Sequence, residues 1–117
     1  MKSKIYFSRE IDENNVEKLF NKILSESDFS SKKTAIKVHF GERGNTRYVE
    51  PRLIRPVIDN LKKATNDYFL TDTNTLYRGG RTNAKDHIET AMEHGFGVLE
   101  TPIEIADGED GQEDVDV

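Results

Sequence analysis

The chain has 117 residues, 34% of them hydrophobic and 33% charged, with a formal net charge of −5 and no cysteine. That length suits one domain around one core. The missing cysteines exclude disulfides, thiolate zinc sites and cysteine-ligated iron–sulfur clusters within these residues, and no apolar run approaches the ~20 residues of a membrane-spanning helix.

The N-terminal "KIYF", residues 4–7, reads as a short edge strand and not as an apolar targeting segment, which points to a cytoplasmic protein. Val16, Leu19, Phe20, Ile23 and Leu24 then recur at helical spacing, with Asn14 and Glu17 placed as a capping pair. "TAIKVHF", residues 34–40, is a β-branched strand. Leu53, Ile54, Val57, Ile58 and Leu61 form a second helical stripe, whose first turn is marked by Pro51 or Pro56. "DYFLTDT", residues 67–73, is a third strand. Asn83 caps a third helix with the stripe Ala84, Ile88, Ala91 and Met92, and Gly95 ends it. "PIEIAD", residues 102–107, is a fourth strand.

This alternation predicts an α/β domain over residues 1–107: a mostly parallel sheet of about four strands with helices on its faces, in a Rossmann-like three-layer arrangement. Residues 108–117 read as an acidic, flexible tail. From Asp107 to Val117 there are six acids and no base, so the body carries 17 bases against 16 acids. Six of the seven arginines fall between Arg43 and Arg81. Without a basic stripe, nucleic-acid binding is not expected.

Ligands of open α/β sheets bind beyond the carboxyl ends of the strands. Here those ends are the polar loops "HFGERGNTR", "TDTNTLYRGGRTN" and "ADGEDG". An anion would be held by Gly41, Arg43, Gly44, Asn45, Thr46 and Arg47 on the first loop, and by Asn74, Arg78, Gly80, Arg81 and Asn83 on the second. Turn formation and solvated arginines account for the same residues. His39, Asp72 and His87 are the candidate catalytic groups. They also form a candidate two-histidine, one-carboxylate site for a divalent metal, with Asp107 as a fourth group. The alternative is that both histidines are structural. "TDTNT", residues 71–75, fits equally an Asx-type turn. His94 lies in the last turn of its helix, where a cation is favourable.

The segments "KVHFGERGNTRYVEPRLIRPVIDNLKK", "FLTDTNTLYRGGRTNAKDHIETAMEHGF" and "PIEIADG" resemble the N-terminal region of the iron–sulfur-centre proteins of domain-of-unknown-function family 362. The resemblance covers roughly residues 4–111. It singles out His39, Gly41, Gly44, Asn45, Thr46, Arg47, Asp72, Asn74, Tyr77, Gly80, Asn83, Asp86 and His87. It also implies a longer protein, in which a downstream ferredoxin-like segment carries 4Fe–4S clusters and redox chemistry. These residues stop short of such a segment, and "ADGEDG" is more acidic than the family pattern. The expectation is a ligand-binding or catalytic domain for an anionic small molecule or metal. The alternative is a scaffold that docks a redox partner protein. A sheet that normally continues would also leave an uncovered edge for self-association.

Overall fold

The computed structural model describes residues 2–113. In chain order the elements are α1 (Glu13–Glu26), β1 (Thr34–Lys37), α2 (Pro51–Leu61), β2 (Tyr68–Asp72), α3 (Ala84–Glu93), a 3-10 turn (Phe96–Leu99) and β3 (Ile103–Ile105). The strands form one parallel sheet in the order β1-β2-β3. Ile36 pairs with Leu70 and Leu70 with Ile103, so one apolar row crosses the sheet.

Side-chain alternation decides what that row faces. Ile36, Val38 and Phe40 point into a core shared with Ile58 of α2, Ala91 of α3, Phe96 and Leu99. Ala35, Lys37 and His39 alternate with them and are exposed. On that outer face Lys33 lies 4.6 Å over the Phe69 ring and pairs with Glu104 at 3.2 Å. Helices on both faces were expected. Among the described residues, α2 and α3 cover one face and no helix packs on the other. The sheet likewise has three strands where four were expected. Residues 4–7 lie outside the sheet, with Lys4 and Tyr6 bonded to Glu26 of α1 and Ile5 and Phe7 exposed.

The element ends have local causes. Asp12, not Asn14, caps α1: its extended backbone lets Oδ1 accept the Asn15 N–H at 2.8 Å. Pro51 opens α2, where its missing N–H is not needed, and Pro56 lies inside the helix, buried against its neighbours. Asn83 caps α3 as expected, accepting from Asp86 N–H at 2.9 Å, and Gly95 at φ +88° ends it. Asn74 N–H donates to Asp107, Asn74 Nδ2 donates to the Gly108 carbonyl at 2.8 Å, and Ala84 N–H donates to the Glu109 carbonyl at 2.8 Å. The start of the acidic segment is thus folded back on the second loop and α3. Residues 114–117 of the expected tail lie outside the described residues.

Candidate functional site at the strand ends

Asp72 is the last residue of β2 and points to the core side of the sheet, 5% exposed. Its carboxylate meets Lys37 Nζ at 3.0 Å, the Thr73 N–H at 2.9 Å, an Arg81 guanidinium nitrogen at 3.4 Å and His87 Nε2 at 3.5 Å. Burial by itself would push this carboxyl up. The His87 ring, the Lys37 ammonium and the Thr73 N–H outweigh it and hold Asp72 well below the usual carboxylate range. Of these, Lys37 at 3.0 Å is the stronger partner. At 3.5 Å the His87 approach is at the limit of hydrogen bonding, and Nε2 has no partner of good geometry.

Arg81 is held between two acids. Its Nε lies 3.5 Å from Glu42 Oε2, and its remaining terminal nitrogen donates to the Tyr77 hydroxyl at 2.7 Å. Glu42 accepts the backbone N–H groups of Arg43 and Gly80. Burial raises its carboxyl, but these donors and Arg81 bring it below its ordinary value. The first loop is thereby tied to the second. Gly80 permits the approach: a Cβ there would lie 2.6 Å from Thr90 Oγ1 and 2.9 Å from Arg43 Cβ. Glu42 and Lys37 were not among the sequence candidates. The even–odd pattern of the strand says which side Lys37 leaves from, but not that its ammonium reaches around to the end of β2.

His87 is fully buried, edge-on to Phe40 at 5.6 Å, with Nδ1 3.3 Å from Asn74 Oδ1. His94 uses Nδ1 on the Phe40 carbonyl at 2.7 Å and stacks on Tyr48 at 4.2 Å, so it locks the first loop to α3 instead of resting as a solvated helix-end cation. Arg43 pairs with Glu93 at 3.2 Å and Glu89 at 3.9 Å, while Asn83 serves as a cap. Asn45 accepts the Arg47 N–H at 2.8 Å.

His39 is not with Asp72 and His87. It leaves the exposed side of the β1 line, as alternation requires. Among the described residues no three His, Cys, Asp or Glu side chains stand together as a metal set. Asp107 likewise serves the backbone of Asn74. The donor set fits neither the expected divalent metal nor an iron–sulfur cluster, which needs thiolates that the chain lacks.

His39 instead lines a groove between the N-terminal segment, α1, α2 and the loop after β1, with a volume of about 640 Å³. Leu53, Ile54 and Val57 of α2 make one wall; Arg47 and Tyr48 stand at the loop side. His39 Nδ1 accepts the Gly41 N–H at 3.1 Å, so a neutral ring carries its proton on Nε2, directed away from the loop. The Arg47 guanidinium has no side-chain partner among the described residues. Gly44 and Thr46 lie beside it on the exposed loop, and Arg78 is exposed on the second loop. The groove was not legible in the sequence because its walls come from four segments that no motif links.

A parallel α/β sheet with a cross-linked pair of loops at its carboxyl ends thus defines the molecule. A profile of the domain of unknown function DUF362 matches residues 34–117, most of the chain, and the chain belongs to that family. The match begins at β1 and contains both loops. Comparison with curated proteins and with solved structures gave no match.

Proposed function

We propose that this chain is a ligand-binding domain that holds an anionic small molecule past the carboxyl end of β1, with Arg47 and His39 as its contacts. One observation supports this reading above the others. Asp72, Glu42, Lys37, Arg81 and His87 pair one another's charges in the interior, although Glu42 Oε2, Arg81 Nε and His87 Nε2 make no hydrogen bond of good geometry there, whereas the Arg47 guanidinium and His39 Nε2 stand beside a concave apolar surface open to a ligand. The interior network is then the rigid frame, and the groove is the place for a ligand. A catalytic role for His87 would require access that its burial denies. The redox setting implied by the resemblance would belong to residues other than these 117, because they supply no thiolate.

Titration with inorganic phosphate, followed by amide NMR shifts, tests the reading. Saturable shifts are expected at His39–Tyr48 in the wild type and their loss in Arg47→Gln. Shifts unchanged in Arg47→Gln would remove Arg47 from the site.

A second reading, docking of a redox partner protein, draws on the second loop. Leu76 is fully exposed, Tyr77 is more than half exposed, and Arg78 follows them without a side-chain partner among the described residues. A docking face needs no small-molecule pocket and would leave the phosphate titration silent.

The open sheet face belongs to the same proposal. Parallel sheets are ordinarily covered on both sides. The outer face of β1–β3 and the unpaired edge of β1 are where the further layer of a Rossmann-like arrangement would pack. In this chain alone, self-association is expected there. Sedimentation velocity should show the weight-average coefficient rising with concentration, and a constant monomer value across the range would rule the face out as a self-contact.

A further inference from the structure

We infer that the groove beside His39 and Arg47 is built for a small monocarboxylate with an apolar body, of the fatty or arylalkyl kind. The inference deepens the anion-binding reading above and rests on it.

Three features set the ligand class. The first is size: about 640 Å³ is within the usual range for small-molecule sites. The second is the wall. Leu53, Ile54 and Val57 face Val16 across the groove, and Ile11 and Val49 stand at the rim 78% and 45% exposed. Apolar side chains in solvent around a concavity are covered by an apolar ligand body at a gain that scales with the area removed from water. Inorganic phosphate or a sugar phosphate would leave this wall wet.

The third feature is the polar mouth. It offers a guanidinium fork on Arg47 and, on the His39 ring whose Nδ1 accepts the Gly41 N–H, an Nε2–H donor, and neither has a partner among the described residues. Two donors match the two oxygens of one carboxylate. The acid at the same mouth is Glu50, which is held by Arg52 Nε at 2.6 Å; Arg52 also pairs with Glu13 at 3.1 Å. That trio carries two acids and one base, so it opposes a second negative charge on the ligand. A single carboxylate is therefore favoured over a phosphate dianion.

The experiment uses the full chain and octanoate below its micelle concentration, with octan-1-ol and inorganic phosphate as comparators, read by amide NMR shifts. Octanoate should produce saturable shifts at His39, Tyr48 and Leu53. Octan-1-ol should bind about tenfold more weakly, as should octanoate to Arg47→Gln, the scale of one charge-assisted hydrogen bond. Val49→Asp, a change at an exposed rim position, should weaken octanoate while the spectrum stays dispersed. Equal binding of octanoate and octan-1-ol, or octanoate shifts that map elsewhere, would overturn the carboxylate assignment. Phosphate bound at Arg47 with octanoate ignored would overturn this inference and leave the anion reading intact. Neither ligand bound would remove both.

Discussion

Asp72→Asn is expected to lower the unfolding free energy by about 3 kcal/mol at neutral pH, the lower end of the range for removing one partner of a buried ion pair. The lower end applies because the partners differ. Lys37 is 66% exposed and re-solvates when its carboxylate is lost. Arg81 is 7% exposed and cannot; it keeps the Tyr77 hydroxyl at 2.7 Å and, of its two acids, only Glu42 at 3.5 Å. The same side chain gives the loss a pH signature. Asp72 is held below its unfolded value, so its contribution is complete above the ordinary aspartate pKa of about 3.9 and is lost as pH falls below it. Urea unfolding at pH 7 and near pH 3 checks both parts. The difference between wild type and Asp72→Asn should narrow at the lower pH. A loss below about 1 kcal/mol at pH 7, the scale of an exposed ion pair, would show that the network is a solvated one.

Gly41→Ala is expected to cost about 2–5 kcal/mol, from two sources that a companion variant separates. Gly41 has φ +84°, which an L residue adopts at a cost of about 1–2 kcal/mol. Its Cβ would also lie 2.6 Å from the Tyr48 ring, and overpacking of that kind costs about 1–3 kcal/mol. Tyr48 has little room to yield, because it stacks on His94, which is itself bonded to the Phe40 carbonyl. Gly44 has nearly the same φ, +81°, but nothing lies within 4 Å of its Cβ position. Gly44→Ala should therefore lose only the backbone part. Thermal or urea unfolding of the pair measures the contact by difference. Equal losses would mean that Tyr48 moves freely. A larger loss for Gly41→Ala should come with weaker octanoate binding, since Tyr48 lines the groove.

The loop glycines also show what could be read from residue types alone. "GERGN" and "RGGRTN" announce backbone positions that need freedom or close approach, and Gly41, Gly44 and Gly80 fill those needs. They do not announce what makes the approach. At Gly80 the close neighbour is the chain itself, through Glu42 and Thr90, and the site expected to cradle an anion is partly occupied by the protein's own carboxylate.

The order of helices and strands, the parallel sheet, the Asn83 cap and the Gly95 stop were legible because each depends on local periodicity or on one residue's backbone preference. The strand-like alternation of residues 4–7 was legible too, yet alternation cannot supply a neighbour to pair with, and the structure attaches that segment to α1 by Lys4 and Tyr6. The grouping of His39, Asp72 and His87 failed for a related reason. Strand ends tell where polar residues gather along the sheet edge, but side-chain direction sorts the short ones: His39 leaves on the exposed side and lines the groove, Asp72 turns inward to His87 and Arg81, and of the outer row only the long Lys37 reaches around to it. Residue type and spacing determined the elements and the edge at which chemistry could occur. Only the tertiary packing decided which polar groups meet: β1, β2, the two loops and α3 bring Lys37, Asp72, Glu42, Arg81 and His87 together, whereas His39 and Arg47 stand beside the α2 wall of the groove, because those contacts join residues far apart in the chain.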